Sequence, residues 1–279
     1  MIAARDLVKV YDDGSRALNK VSLSIDGKIT SIIGRNGAGK TTLLRILSTQ
    51  LLPTSGTGTI NGHDIIKDAE AVRKITVSIP QDVEAVWFFT VFDSLLVYLT
   101  ARGMSTREAK RAATTALKKV GLWDARDKIP SRLSGGMQRK MFVAMGLAAD
   151  ADIVFLDEPT TELDPLSRLE VWSAIRALKG QVVLTTHYME EAQALSDKVI
   201  MLDKGKILAH GKVEELLRPF SGLVRVEGKR KRKGAYRVAN TWVSYVKKER
   251  AESFVMEGDV VRPVTLDDLF IKRGVNLER

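Results

Sequence analysis

Apolar residues along this chain recur in two distinct periods. Ile29 to Ile33 is a short β-branched run, followed at once by a glycine-containing loop and then by Leu43, Leu44, Ile46 and Leu47. That order spells strand, loop, helix. Ile153 to Leu156 and Val182 to Leu184 are continuous apolar runs of strand length, the pattern of parallel strands covered on both faces. The core is therefore expected to be α/β. Thr90-Val91-Phe92-Asp93 fits a capping box, and Phe92, Leu95, Leu96 and Leu99 follow at helical spacing, opening a mostly helical insertion that runs to about Arg132. Asp164-Pro165 sets a capping acid before a proline, and Leu166, Leu169, Trp172 and Ile175 then form an apolar stripe ending near Gly180.

Towards the C-terminus the period shortens. Leu223, Val224 and Val226, then Trp242 to Val246, then Val260 and Val261 predict short strands, and Thr265 with Asp268 caps a final helix through Phe270. The chain has 279 residues, enough for roughly two domains of about 150 residues each. A composition shift beside Pro219 and Gly222 suggests where they part: a main domain over 1–218 and an appendage over 219–279.

Composition narrows the choices. Hydrophobic residues make up 44% and charged residues 28%, proportions of an ordinary globular chain, and the absence of cysteine excludes disulfides, thiolate metal sites and a cysteine nucleophile. The most apolar stretch, Ala85 to Ala101, is interrupted by Asp93 and falls short of the ~20 apolar residues that span a bilayer. Met1 to Lys9 lacks the apolar run of a signal peptide, so a cytosolic location is expected. The net charge is +10, and +8 of it lies between Ser221 and Arg250, centred on the run Lys229 to Lys233. Such a run is ordinarily a solvated loop; its other readings are an anionic lipid surface or nucleic acid.

Gly34-Arg35-Asn36-Gly37-Ala38-Gly39-Lys40-Thr41 fits the phosphate-binding loop pattern of glycine, four residues, glycine, lysine and threonine or serine. The glycines let backbone N–H groups turn inward around phosphate oxygens, Lys40 supplies a cation and Thr41 a hydroxyl for magnesium. Asp157 and Glu158 end an apolar strand, at the sheet edge where ligands bind. Asp157 is the candidate magnesium ligand and Glu158 the candidate general base for an attacking water.

These residues resemble the nucleotide-binding subunits of ATP-binding cassette (ABC) transporters, over about Met1 to Leu217. Leu133-Ser134-Gly135-Gly136-Met137 looks like the signature motif of that family, with Ser134 lying 23 residues before Asp157. The resemblance implies a P-loop NTPase core with a parallel central sheet, an N-terminal antiparallel β part and a helical insertion over about 82–132, to which the chain adds the small C-terminal α+β appendage read above. It implies ATP and Mg2+ as cofactors. Gly34, Asn36, Gly37, Ala38, Gly39, Lys40, Thr41 and Thr42 would hold the phosphates. Ser134, Gly135 and Gly136 would reach the γ-phosphate held by a second subunit, so that hydrolysis needs a dimer. Tyr11 would stack on adenine, against the plainer reading of a surface tyrosine at a strand end. Gln81 would touch magnesium and water, and His187, 29 residues beyond Glu158, would contact the γ-phosphate.

Two positions depart from the pattern. Met137 stands where the family usually has glutamine, and Glu162 stands where glycine or another small residue is common. Met137-Gln138-Arg139-Lys140, the segment Thr185 to Ala192 and Leu266-Asp267-Asp268-Leu269-Phe270 look most like the branch that exports drugs, lipids or polysaccharides. The implied function is an ATPase subunit, peripheral on the cytoplasmic face of the membrane, that dimerises with ATP and powers a separate transmembrane permease. The rival is a non-transport ABC ATPase on ribosomes or nucleic acid, disfavoured because such factors usually carry two cassettes in one chain. A regulatory nucleotide sensor without catalysis is a third reading, disfavoured by Glu158 and His187.

Overall fold

A computed structural model describes residues 1–81, 88–232 and 234–272. The start of the expected insertion at 82–87, Lys233 of the basic run and the last residues, 273–279, lie outside the described residues.

Strands β1 (Ile2–Val10) and β2 (Arg16–Ile25) form an antiparallel pair, and β3 (Ile29–Ile33) runs into the glycine loop and helix α1 (Lys40–Leu47). Strands β4 (Ser55–Ile60) and β5 (His63–Asp64) complete an antiparallel sheet in the order β2-β1-β4-β5. Helix α2 (Ala69–Ile75) leads into β6 (Thr76–Ile79). The expected insertion holds α3 (Val91–Ala101), α4 (Thr106–Lys119) and two short turns at Trp123–Ala125 and Pro130–Arg132, and α5 (Gly135–Ala149) follows it. The expected capping box of α3 is present: the Asp93 N–H donates to Thr90 Oγ1 at 3.0 Å and the Thr90 N–H to Asp93 Oδ2 at 3.4 Å.

The chain then alternates β7 (Ile153–Asp157), α6 (Pro165–Arg176), β8 (Gln181–Thr186), α7 (Met189–Leu195), β9 (Lys198–Asp203) and β10 (Lys206–Gly211). The second sheet has the order β10-β9-β3-β8-β7-β6, parallel throughout except for the β9–β10 hairpin. Alternation along its strands decides what packs where. Ile153, Phe155 and Val183 join Leu43, Leu44, Ile46 and Leu47 of α1, which is wedged between the two sheets. Val154, Leu156, Val182 and Leu184 face the opposite way, into α3, α5 and α6.

One expectation for α6 fails. Leu166 and Leu169 are 68% and 57% exposed, while Val171, Trp172, Ala174 and Ile175 make its buried face. The large apolar contacts of the helix with the core come from its second half.

Helix α8 (Val213–Leu217) and the turn Arg218–Phe220 lead into the appendage. Strands β11 (Leu223–Gly228), β12 (Tyr236–Val238), β13 (Thr241–Lys247) and β14 (Val260–Arg262), with helices α9 (Ala251–Met256) and α10 (Leu266–Lys272), form a third sheet in the order β12-β13-β11-β14. Phe220, Leu266, Leu269 and Phe270 share one buried cluster with Ile33, Met189, Val199 and Met201 of the main sheet and α7. The appendage is thus seated on the larger part through a common apolar core. Among the described residues, no helix is long and apolar enough to cross a membrane.

Candidate functional site

Parallel register brings the carboxyl ends of four strands to one edge. Ile33 pairs with Thr186, Asp157 with Thr185, and Ile79 with Leu156. The residues that follow, Gly34, Glu158, His187 and, one turn later, Gln81, therefore emerge together.

The glycine loop is fixed by close approach. A Cβ on Gly34 would run into the backbone carbonyl of Leu202, and Gly39 holds φ +101°, a left-handed conformation, with the Ala17 carbonyl against it. Asn36 and Gly37 are exposed at the loop's tip, whereas Ala38 and Thr42 are buried. Helix α1 starts at Lys40, and its first N–H groups have no intrahelical acceptor and point into the loop. Lys40 itself is 5% exposed, and its Nζ donates to the Gly34 and Arg35 carbonyls at 3.0 and 3.2 Å.

Across the edge, Lys40 Nζ meets Glu158 Oε1 at 3.2 Å. Glu158 Oε2 accepts from Thr161 Oγ1 at 3.0 Å and lies 3.0 Å from His187 Nδ1. Burial opposes charge on Glu158, yet Lys40, Thr161 and His187 together hold its carboxyl below the ordinary glutamate value. Glu158 sits at φ +46°, and its N–H donates to the carbonyl and hydroxyl oxygens of Thr185 at 3.2 and 2.9 Å. A non-glycine residue in this region is strained and needs such support.

Asp157 is 2% exposed. Its Oδ1 accepts from Thr41 Oγ1 at 3.0 Å and Thr185 Oγ1 at 2.6 Å, and its Oδ2 is buried without a partner. A buried carboxylate oxygen without a donor, beside a hydroxyl, suits magnesium, which takes one or two protein oxygens and completes its shell with phosphate and water.

Tyr11 follows β1, and its hydroxyl lies 3.0 Å from Thr42 Oγ1, so the half-exposed ring stands beside the start of α1. Lys9 Nζ lies 5.5 Å from the ring centroid. Gln81 is held through its backbone carbonyl, which accepts from Arg139, and its side chain makes no hydrogen bond to the cluster.

Ser134, Gly135 and Gly136 stand apart from this cluster. Ser134 caps α5, its Oγ accepting from the Met137 N–H at 3.3 Å, and Ser134 and Gly135 are exposed. Gly136 is buried because α6 crosses there: a Cβ would come within 2.6 Å of Ser167 Cβ and Oγ. Of the two departures, Met137 packs against the core of the insertion. Glu162 is exposed with φ +64°, the left-handed conformation that a glycine would take without strain. Asp164 Oδ1 caps α6, accepting from the Leu166 and Ser167 N–H groups at 3.1 and 3.0 Å.

Thr161 and Thr185, which complete the cluster, were not foreseen as site residues. Their signal was adjacency: each neighbours a candidate, but the sequence does not tell which side chain turns inward.

A family model described as ABC transporter matches residues 18–161. The chain is 38% identical over 219 residues to the daunorubicin/doxorubicin resistance ATP-binding protein DrrA of Streptomyces peucetius, across 77% of this chain and 66% of that protein. It is 36% identical over 214 residues to the human retinal-specific phospholipid-transporting ATPase ABCA4, across 75% of this chain and 9% of that protein. The chain thus spans less than two thirds of the length of either relative. Among solved structures, an ATP-binding subunit of an ABC transporter aligns with a TM-score of 0.70 at 25% identity, covering 79% of this chain and 93% of that one. A dimeric ATP-binding cassette, MJ0796, in a post-hydrolysis state bound to ADP and Pi aligns with a TM-score of 0.69 at 27% identity, covering 76% and 98%.

Proposed function

The chain belongs to the ABC transporter family, and from that premise we propose that it is the ATP-hydrolysing subunit of an exporter, working as a dimer on a separate membrane permease. The observation that carries the proposal is the position of Glu158, held between Lys40 at 3.2 Å and His187 at 3.0 Å at the sheet edge.

The chemistry follows from those contacts. ATP phosphates offered to the N–H groups of the Gly34 to Thr41 loop draw Lys40 from Glu158 to the phosphate oxygens, since the triphosphate carries more charge than one carboxylate. Glu158, freed on that side and steadied by His187, accepts the proton of the attacking water, a contribution worth about 10²–10⁴-fold. His187 and Gln81 line the γ-phosphate side of the edge. Thr41 and Asp157 would hold magnesium, which when bound would supply positive charge to the phosphate oxygens. Tyr11 stacks on the adenine. Ser134 to Gly136, at the N-terminus of the long helix α5, present a second anion site to the nucleotide of another copy, so that ATP closes the dimer and hydrolysis opens it.

Strand order bears on the partners. The insertion packs beside β6 at one edge of the main sheet, while the appendage packs on α7 and α8, beside β9 and β10 at the other. The basic run belongs to the appendage, across the main sheet from the insertion that the family resemblance sets against the permease. Arg232 is spent within the appendage on Glu257, at 3.1 Å, and Asp259, and Lys231 stacks 5.2 Å from the Trp242 ring centroid. The cargo class we propose is a drug-like or lipid amphiphile, on the strength of the names that both relatives carry.

The test is Glu158→Gln with its permease. It is expected to bind ATP, to lose turnover and to accumulate as a dimer. Normal steady-state hydrolysis in that variant would strip Glu158 of its role.

A further inference from the structure

One buried carboxylate takes no part in the hydrolytic mechanism. Glu191 lies on α7, four residues past His187, and is fully buried. Its Oε1 accepts from Thr160 Oγ1 at 2.7 Å and from Trp172 Nε1 at 2.9 Å, while its Oε2 is buried without a hydrogen bond. Thr160 lies two residues past Glu158 and Trp172 lies on α6. A single oxygen thus ties together the segment after β7, helix α6 and helix α7.

We propose that Glu191 is a positioning residue of the hydrolytic site, keeping the segments after β7 and β8 in the register that sets His187 against Glu158. The inference rests on the hydrolytic reading of Glu158. Two bonds span the same pair of segments: His187 to Glu158 at the exposed edge, and Glu191 to Thr160 beneath it. The upper contact joins side chains at the opening, of which His187 is 30% exposed, and Glu158 has a strained backbone. The lower one is dry, where a hydrogen bond is stronger and its geometry stiffer. Burial pushes the Glu191 carboxyl up, against the Thr186 and Thr160 hydroxyls, the Trp172 indole and the Arg168 charge. The Arg168 guanidinium is stacked on the Tyr188 ring, 4.4 Å from its centroid.

The experiment compares Glu191→Ala, Glu191→Gln and Thr160→Val by ATP affinity, turnover with the permease, and NMR of the His187 ring, one of three histidines in the chain. Glu191→Ala and Thr160→Val should each lower kcat about 10- to 100-fold, the scale of a slightly misplaced catalytic group, with ATP affinity unchanged. Both should move the His187 ring resonances. Glu191→Gln keeps the acceptor oxygen and should restore both readings, and the double variant Glu191→Ala with Thr160→Val should be no worse than Glu191→Ala. Unmoved His187 resonances, additive losses, or wild-type kcat in folded Thr160→Val would overturn the inference. If Glu191→Ala does not fold, Thr160→Val carries the same readings. A wild-type chain that binds ATP without turnover would remove the hydrolytic reading alone, since the His187 resonances report the register without hydrolysis.

Discussion

Lys40 and Glu158, 118 positions apart in the sequence, face each other across the sheet edge with Nζ and Oε1 3.2 Å apart and side chains 4% and 9% exposed. The cation expected to bind phosphate and the carboxylate expected to activate water neutralise each other. Phosphate binding must break that pair, which ties recognition of the nucleotide to release of the base.

The first prediction is an affinity that rises as turnover falls. Glu158→Gln frees Lys40 of its carboxylate, so ATP should bind tighter than to the wild type by about 3- to 10-fold, or roughly 1 kcal/mol for a pair of this kind. Equilibrium binding checks it; weaker binding would mean that the pair assists the nucleotide instead of competing with it.

Acid stability should carry the mark of the same contact. The folded-state pKa of Glu158 lies below the ordinary value of 4.5, so the folded chain binds this proton more weakly than the unfolded chain. The stability it contributes is present above pH 4.5 and is lost as pH falls through the lowered value. Denaturant unfolding at pH 7 and at successive steps below pH 4.5 should show a loss in wild type that is smaller in Glu158→Gln.

Glu191 should show the opposite sign. Its folded pKa is raised above 4.5, so the folded chain holds that proton more tightly, and the associated stability is present below pH 4.5 and lost as pH rises through the raised value. Glu191→Gln should therefore be at least as stable as wild type at pH 7, with its advantage shrinking towards pH 4. A clear loss of stability at pH 7 would show that the charged form is favoured.

The loop over Glu162 offers a conformational test. Relieving a left-handed non-glycine residue yields about 1–2 kcal/mol, less about 0.4–1 kcal/mol for the freer unfolded chain. Glu162→Gly, at φ +64°, should raise Tm by about 2 °C in calorimetry. Glu162→Ala should not.

Gly135 and Gly136 should part company. A Cβ at Gly136 would come within 2.6 Å of Ser167, whereas at Gly135 the nearest atom is 3.6 Å away on Leu163. Gly136→Ala should cost about 1–3 kcal/mol by overpacking, and Gly135→Ala should unfold like wild type, as urea titration would show.

Much of this site could be read from the chain because its residues are sequence neighbours of strand ends. The strand before Gly34 and the strand before Asp157 are continuous apolar runs, and parallel pairing then delivers their successors to one edge. The capping box at Thr90 and Asp93 is equally local. What escaped detection depends on contacts between distant segments. Glu191 looks like an ordinary charged helical residue until α6 and the loop after β7 close over it. Leu166 and Leu169 mimic a core stripe because spacing alone does not say where α6 first meets its neighbours. The antiparallel N-terminal sheet entered only through the family resemblance, since bulges with Asp6 at φ +50° and Lys20 at φ +54° break the alternation that marks a strand.

In the proposed mechanism one nucleotide is held by two copies of the chain. With no cysteine in the sequence, Asn36→Cys and Ser134→Cys can be placed in Glu158→Gln protein and joined by a short thiol-reactive crosslinker with and without ATP. ATP-dependent crosslinks are expected between position 36 of one copy and position 134 of another; a lack of intermolecular crosslinks at saturating ATP would mean that the two copies share no nucleotide.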